Sequence, residues 1–440
     1  MRVLIIGSGG REHALAWKLK QEEPSVELLA APGNPGIAAL AECVPISATD
    51  LPALLALARD RAVDLTVVGP EGPLALGIVD QFRQGGLSIF GPTRAAAEIE
   101  TSKAFAKQLM LDDNISTALA EIHVRVEPAR KCARMFGAPV VVKASGLAAG
   151  KGVIVCQTIA EADAAIEDML EGNRFGPAGS EVLIEEYMEG EELSVFAVTD
   201  GTSFVRLPTL QDHKRLMDHD RGPNTGGMGA YVPITLPLRP DRPVSDGDTA
   251  IDGVIDRTLK ALAARGRPFT GLLYAGFMMT RDGPRVVEFN CRFGDPETQA
   301  LMPVLNGSHR LLDLMLAVGR GEPLPRAEMT VSGACVTTVL AAASYPETPR
   351  TGDLITLPAD TADVVIFHAG TARNSQGELM TAGGRVLAVT ATGASLADAQ
   401  RRSLHVANQV QFAGKQFRTD IGWREMARRQ EPQGAGAPGN

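Results

Sequence analysis

Over residues 2 to 90 the chain alternates short apolar runs, RVLIIG, VELLAA, DLTVVG and LSIFG, with longer stretches whose apolar residues recur every three or four positions, REHALAWKLKQE, LPALLALARDRA and PLALGIVDQFRQ. The short runs have the length of buried strands, and the longer ones put an apolar stripe along a helix. Their alternation predicts an open, mainly parallel α/β sheet. From residue 98 to 112 the period is helical again, with Lys103 and Lys107 four apart on one face. PVVVKA and GVIVC read as strands around a Gly-rich loop, TIAEADAAIEDMLEG as an acidic helix, and VLIEEY, LSVFAVTDG and SFVRLPTLQ as further strands. HDRGPNTGGMGAY has four glycines and no period, so it is expected to lack regular structure. A helix over about 247 to 264, the hairpin GLLYAGFMMTRDGPRVVEFN, three strands within 327 to 424 and a helix near 395 to 411 complete the pattern. The tail EPQGAGAPGN is expected to be disordered.

Length and composition narrow the class. A chain of 440 residues divides into two to four domains of about 100 to 200 residues each. Hydrophobic content of 45% with 22% charge is that of a soluble globular protein, and no apolar run reaches the roughly 18 residues of a membrane span. A net charge of −9, from 43 basic and 52 acidic residues, argues against indiscriminate nucleic-acid binding. A local basic pocket for a phosphorylated metabolite stays open. The five cysteines, at 43, 132, 156, 291 and 335, are odd in number and lack Cys-x-x-Cys spacing. That pattern predicts reduced thiols, a cytoplasmic setting and no zinc site.

Two glycine-rich turns invite nucleotide readings and fail the usual tests. In KASGLAAGKGVIV, residues 143 to 155, Gly146 and Gly150 enclose three residues where a P-loop needs four, and Gly152 stands where Ser or Thr would hold magnesium. A lysine-flanked loop that lays backbone N–H groups on a phosphate remains, with Lys143 either at that phosphate or snorkelling to water. GSGGREHA resembles a dinucleotide turn but has Glu12 at the third glycine, and the next strand ends without an acid for the ribose. NAD binding is therefore disfavoured, although the turn still aims a helix N-terminus at an anion.

Other candidates gain weight together. Glu288 and Asn290, at i and i+2 in VVEFN, share one strand face and lie roughly 7 Å apart, a spacing that can hold magnesium against phosphates or merely face water. Arg292 and Asp295 follow in CRFGDPETQ. Glu185 and Glu186 precede the turn MEGEE, where a hinge would read adenine through its backbone and Glu192 would hold ribose hydroxyls. QDHKR is by default a solvated charged turn, but the PNTGGMG beside it suits a flap over an anionic substrate. His13 reads as a packed histidine and the cysteines as core residues.

In order, Lys103, Lys143 with its loop, the Glu185 hinge and the Glu288–Asn290 pair resemble the ATP-grasp superfamily. GGREHALAWK, PGNPG, VVGPE, GLAAGKGVIV, QDHKR, GPNTGGMGAY, EFNCRFGDPETQ, FHAGT and DIGWR make the chain similar, from residue 1 to about 425, to the glycinamide ribonucleotide synthetase family. The resemblance implies ligation of glycine to 5-phosphoribosylamine with ATP and magnesium or manganese, through glycyl phosphate. It implies Lys103, Lys143, Gly150, Gly152, Glu185, Glu186, Met188 and Glu192 at the nucleotide, and Glu288 and Asn290 at the metal. Substrate contacts would come from Gly9, Gly10, Arg11, Glu12, Asp212, Lys214, Thr225, Gly226, Gly227, Arg292, Gly294 and Asp295, with Arg292, Asp295 and Lys143 catalytic. Asp212 and Lys214, with the GPNTGGMG loop and the GSGGRE turn, are expected at the phosphoribosyl group.

The implied architecture is α/β and multidomain. An N-terminal α/β domain is expected over 1–101, an ATP-grasp domain over 102–326 with a mobile lid at about 122–190, a small C-terminal α/β domain over 327–425 and a tail over 426–440. A monomer is expected, with a handover contact to the preceding pathway enzyme conceivable. Two positions depart from the family pattern: Ser145 stands where Asp is usual, and Ser116 where Pro is usual. A sister ATP-grasp ligase or carboxylase of purine metabolism, and an ATP-controlled binding module without turnover, are the competing readings.

Overall fold

The computed structural model describes residues 1–148, 152–172, 174–236 and 244–430, and of residues 244–246 and 430 the backbone only. Five parallel strands open the fold in the order Glu42–Cys43, Glu27–Pro32, Arg2–Gly7, Leu65–Val68, Ile89–Phe90. Val3, Leu4, Ile5 and Ile6 are all fully buried because the sheet is covered on both sides. Leu4 and Ile6 enter one core while Val3 and Ile5 enter another, as expected for a parallel strand. The predicted helix from 98 to 112 is two helices, Arg94–Thr101 and Lys103–Asp112. Ser102 breaks them, its hydroxyl accepting from Phe105 N to cap the second.

Two antiparallel sheets follow. The larger runs Phe204–Arg206, Glu191–Thr199, Gly271–Thr280, Gly283–Asn290. The smaller runs Ala120–His123, Val182–Glu186, Val140–Ala144, Val153–Cys156. Helices Val126–Phe136 and Ile159–Leu170 cover one face of the smaller sheet through Val140, Val142, Val182 and Ile184. Alternation along the strands sends Lys143 and Glu185 to the opposite face, toward the cleft.

The last sheet crosses an expected domain boundary, and two nearby expectations of irregular structure are corrected. Its order is Gln211–Asp212, Gly229–Val232, Ala334–Ala341, Arg385–Gly393, Val364–His368, so the C-terminal strands share one sheet with strands from before residue 233. A boundary drawn in the sequence near 327 cannot register such pairing, which covers an otherwise open edge. HDRGPNTGGMGAY is not irregular: Arg221–Asn224 pairs with Arg215–Met217, and Gly229–Val232 is buried within the sheet. The chain also stays helical from Trp423 to Gln430, past the predicted start of the tail, while residues 431–440 lie outside the described residues.

Glu425 explains that helix. Its buried carboxylate accepts from Thr235 N (2.9 Å) and Thr235 Oγ1 (2.8 Å) and pairs with Arg428 and Arg429 one turn on. Arg428 continues to Glu191 in a bidentate pair at 2.7 and 2.8 Å. Replacing Glu425 by Ala orphans the Thr235 donors, so it should cost about 1.5–3 kcal/mol, read as a lower urea midpoint with little change in the other domains' spectra.

Candidate functional site

The sheets meet around a cleft of about 710 Å³. At one end, Glu185 lies between two buried ammonium groups, with Lys143 Nζ at 2.7 Å and Lys107 Nζ at 3.1 Å. Burial opposes its ionisation, and the two lysines overcome that and hold the carboxyl below its ordinary range. Burial also pushes Lys107 down to about 8. Lys143 further donates to Val287 O (3.1 Å), and Lys107 to Thr117 Oγ1 (2.7 Å) and Ala118 O (3.1 Å). Glu186 reaches Arg285 and accepts from Leu119 N (2.9 Å), bracing the segment that leads to the buried Met188. Lys103 opens its helix and donates to Gly146 O (3.2 Å), fixing the entry of the Gly-rich loop. Gly152 lines the cleft, whereas Gly150 lies outside the described residues.

Glu288 and Asn290 come from the strand Gly283–Asn290 and line the same cleft. Burial favours the protonated form of Glu288, but Lys214, Lys143, Lys103 and Arg292 hold it below its ordinary range. An ionised carboxylate and an amide oxygen on one strand are hard donors, the type magnesium takes alongside phosphate oxygens, so the residues present fit the metal expected. Arg292 is tightly engaged: it meets Glu100 at 2.9 Å and Glu71 at 3.3 Å, and donates to Asn290 Oδ1 (3.2 Å) and Phe293 O (3.2 Å). One guanidinium therefore orients the amide beside Glu288. Lys214 pairs with Glu192 and lies 3.9 Å from Glu288. Glu192, Asp212 and Glu288 together hold the Lys214 ammonium in its charged form.

The turn at the first helix is also corrected. Glu12 lies out of the cleft, its carboxylate accepting from Gly9 N (2.5 Å) and from Arg11 Nε (2.6 Å). A Cβ on Gly69 would stand 2.0 Å from Glu12 Oε1, so this side chain fills the space that a dinucleotide turn leaves to pyrophosphate. Gly9 and Gly10 are behind the lining as well, and only Arg11 of this group reaches the cleft. The anion facing the helix start is the chain's own Asp295, which accepts from Arg11 N (3.4 Å) and Gln299 Nε2 (2.7 Å) and sits 3.5 Å from Arg385 Nη1. Burial resists its charge, but Arg385 and Arg11 keep the carboxyl below its ordinary range. Such a group orients an ammonium better than it removes a proton.

The PNTGGMG stretch is held, not loose. Arg385 donates to Asp295 O (2.6 Å) and Gly226 O (2.5 Å), and Tyr345 OH accepts from Gly226 N (3.0 Å). Thr225 Oγ1 bonds Lys214 O (2.8 Å) and Gly227 N (3.0 Å). Gly227, at φ +110°, packs behind the lining against Pro296, where a Cβ would meet ring carbon Cδ at 2.5 Å. Gly294 leaves room for Glu297, whose carboxylate accepts from Tyr274 OH (2.8 Å) and Ser194 Oγ (3.2 Å). Glu297, Tyr274, Glu100, Glu71 and Arg385 all line the cleft, and none was singled out as a site residue in the sequence, although Glu71 ends VVGPE and Glu297 lies within EFNCRFGDPETQ. Each is far in the chain from its partners, so no local spacing marks it. QDHKR is likewise no solvated turn: Gln211, Asp212 and His213 are buried, and His213 Nε2 accepts from Gly422 N (3.0 Å).

Three family models tile this chain: the phosphoribosylglycinamide synthetase N domain over residues 1–100, the ATP-grasp (A) domain over 101–298 and the C domain over 335–424. The chain belongs to the phosphoribosylglycinamide synthetase family. A relative from Xanthomonas campestris named phosphoribosylamine–glycine ligase is 50% identical, covering 98% of this chain and all of that protein. The crystal structure of phosphoribosylamine–glycine ligase from Thermotoga maritima superposes with a TM-score of 0.83 at 34% identity, covering 96% of this chain and all of that one. The biotin carboxylase domain of Hydrogenobacter thermophilus 2-oxoglutarate carboxylase, solved with MgADP and bicarbonate, matches with a TM-score of 0.71 at 17% identity over 94% of this chain and 91% of that one. That likeness concerns the fold alone.

Within this family the departure at Ser145 has a visible local role. Its hydroxyl accepts from Ala104 N (3.2 Å) and its carbonyl from Lys103 N (2.8 Å), so a neutral side chain caps the helix that carries Lys103. Ser116 contributes its carbonyl, accepting from Val286 N (2.7 Å).

Asp212 is an acid of the cleft whose ionisation the surroundings oppose. Burial drives its carboxyl up to about 8, Lys214 draws it down, and Glu297, Glu192 and Glu288 push it further up. Its Oδ1 has no hydrogen-bond partner among the described residues. Surrounded by acids, it is suited to receive an amine or ammonium group. A carboxyl with a raised folded pKa binds a proton that the unfolded chain has lost, so its contribution to stability is full at low pH and disappears as pH climbs from the ordinary 3.8 toward about 8. The melting temperature of the ligand-free wild type should therefore fall relative to that of Asp212→Asn between pH 5 and 8; parallel curves would contradict the raised pKa.

Proposed function

We propose that the chain is an ATP-dependent ligase joining glycine to 5-phosphoribosylamine, giving glycinamide ribonucleotide, ADP and phosphate, the second step of de novo purine synthesis. The observation that carries this reading is one cleft gathering Lys103, Lys143, Glu288, Asn290, Arg292 and Asp295, in a chain tiled by the three domains of one family. The relatives' shared name supplies the substrates.

ATP enters beside Lys143 and Lys103, its adenine against the backbone from Glu185 to Met188 and its ribose near Glu192, with Gly152 toward the phosphates. Glu288 and Asn290 would hold magnesium or manganese, which would supply positive charge against the transferred phosphoryl group. A carboxylate oxygen of glycine attacks the γ-phosphorus, and ADP departs with the bridging oxygen. Arg292 anchors that carboxylate. Its contact with Glu71 is the longest of its charged pairs, and Glu71 is one-third exposed, so exchange of this partner for substrate disturbs the network least. The glycyl phosphate then loses phosphate as the sugar's neutral amine attacks its carbonyl carbon. No Ser/His/Asp constellation is needed, because phosphate is already a good leaving group. Asp295 and Asp212, both carboxyls facing the cleft, orient the amines of the two substrates, and Arg11, Thr225, Gly226 and Gly294 surround the phosphoribosyl end.

The five cysteines are free, and no helix among the described residues is long and apolar enough to cross a membrane. Both suit a monomer working in the reducing cytoplasm, where unstable phosphoribosylamine would be taken up as the preceding enzyme releases it.

ADP formation with magnesium and ATP should require both glycine and phosphoribosylamine, the latter generated in place from ribose 5-phosphate and ammonia. Turnover without glycine would point to another carboxylate and overturn the assignment. Arg292→Ala should lower glycine-dependent ADP formation by about a hundredfold or more, and Arg292→Lys should not restore it, because a single ammonium cannot hold Asn290 and a carboxylate together.

A further inference from the structure

Away from the cleft, three side chains of differing chemistry converge on the helix-covered face of the smaller sheet. Glu121 and His123 are two apart on the edge strand Ala120–His123 and so point the same way. Their register partners are Ile184 and Val182, core residues of that covered face, whereas Glu185 alternates to the cleft side. Cys132, on the helix Val126–Phe136 that packs there, is buried in the same core. His123 Nε2 is 3.3 Å from Glu121 Oε2, and one ligand atom from each of Glu121, His123 and Cys132 lies within 4.8 Å of the other two. His123 Nε2 is shielded from solvent and makes no hydrogen bond among the described residues. A shielded ring nitrogen whose polar neighbour is a carboxylate oxygen at 3.3 Å, without a hydrogen bond to it, is poorly satisfied. A cation bound there would satisfy it.

We propose that Glu121, His123 and Cys132 form a second metal site, for a zinc-like divalent cation, distinct from the hard-donor pair Glu288 and Asn290. Carboxylate, imidazole and thiolate together match zinc, which accepts three protein ligands in a tetrahedron and leaves the fourth position to water. Magnesium prefers oxygen donors and does not compete. Glu121 is half exposed, which gives the ion a route in and the fourth ligand its place. On binding, Cys132 Sγ loses its proton to solvent and donates an electron pair to the metal. The bound ion would tie the edge strand to its helix, one strand away from Glu185. Sequence spacing hid the site, since the ligands form no Cys-x-x-Cys pair and the thiol arrives from a different element.

The test is a cobalt(II) titration of the full chain with magnesium in excess. The wild type should take up one equivalent, with a thiolate-to-cobalt charge-transfer band in the near ultraviolet and tetrahedral ligand-field bands in the visible, bleached by zinc and not by magnesium. Cys132→Ser should lose the charge-transfer band. His123→Gln, on the sheet edge and easier to fold, should weaken cobalt binding at least about tenfold. Zinc should also raise the melting temperature of the wild type but not of His123→Gln. A wild type with no thiolate band, or a band that survives in Cys132→Ser, overturns the proposal.

Discussion

The clamp of Lys143 and Lys107 on Glu185 is the contact on which the cleft depends. Three charged groups, each at most 7% exposed at the side chain, sit where the smaller sheet meets the helix Lys103–Asp112. Removing charges from water is expensive, and only close, hydrogen-bonded pairing makes their burial tolerable. The clamp thus fixes the smaller sheet relative to the helix that starts at Lys103 and to the strand that carries Glu288, through Lys143 and Val287 O. If any one of the three groups were lost, the others would be left buried and unbalanced.

The same logic runs through the rest of the site. Arg292 is neutralised by Glu100 and Glu71, Asp295 by Arg385 and the start of the first helix, and Lys214 by Glu192 and Glu288. The charged side chains of the cleft are thus largely matched to one another. Anionic nucleotide and substrate must then enter by exchanging partners, and the groups easiest to exchange are those with long contacts and exposed counterions, Glu71 on Arg292 among them. Asp212 is the exception: among the described residues its Oδ1 has no hydrogen-bond partner, and with Glu297, Glu192 and Glu288 acting on it, it would gain from an incoming ammonium.

Much of the fold could be read along the chain. The parallel N-terminal sheet follows from alternating strand and helix periods, and the pairing of Glu288 with Asn290 on one face follows from the two-residue period of a strand. The errors share a cause. HDRGPNTGGMGAY looked irregular because glycines carry no hydrophobic pattern, yet their neighbours pair across strands that no local window contains. Glu12 looked like a substrate contact because a helix start beside glycines attracts anions, yet its own carboxylate, together with Asp295, already supplies them.

By itself the sequence determined the α/β class, the order of the elements, the family and most of the polar residues that line the cleft, because these rest on periodicity and on motifs that are contiguous in the chain. Only the tertiary structure decided which charges neutralise which, that Gln211–Asp212 and Gly229–Val232 join the C-terminal sheet, and that Glu297, Tyr274, Glu100 and Arg385 belong to the site. Those outcomes depend on burial and on distances between residues separated by up to hundreds of positions. The strength of a charge pair is set by the water excluded around it, and that quantity exists only once the chain has folded.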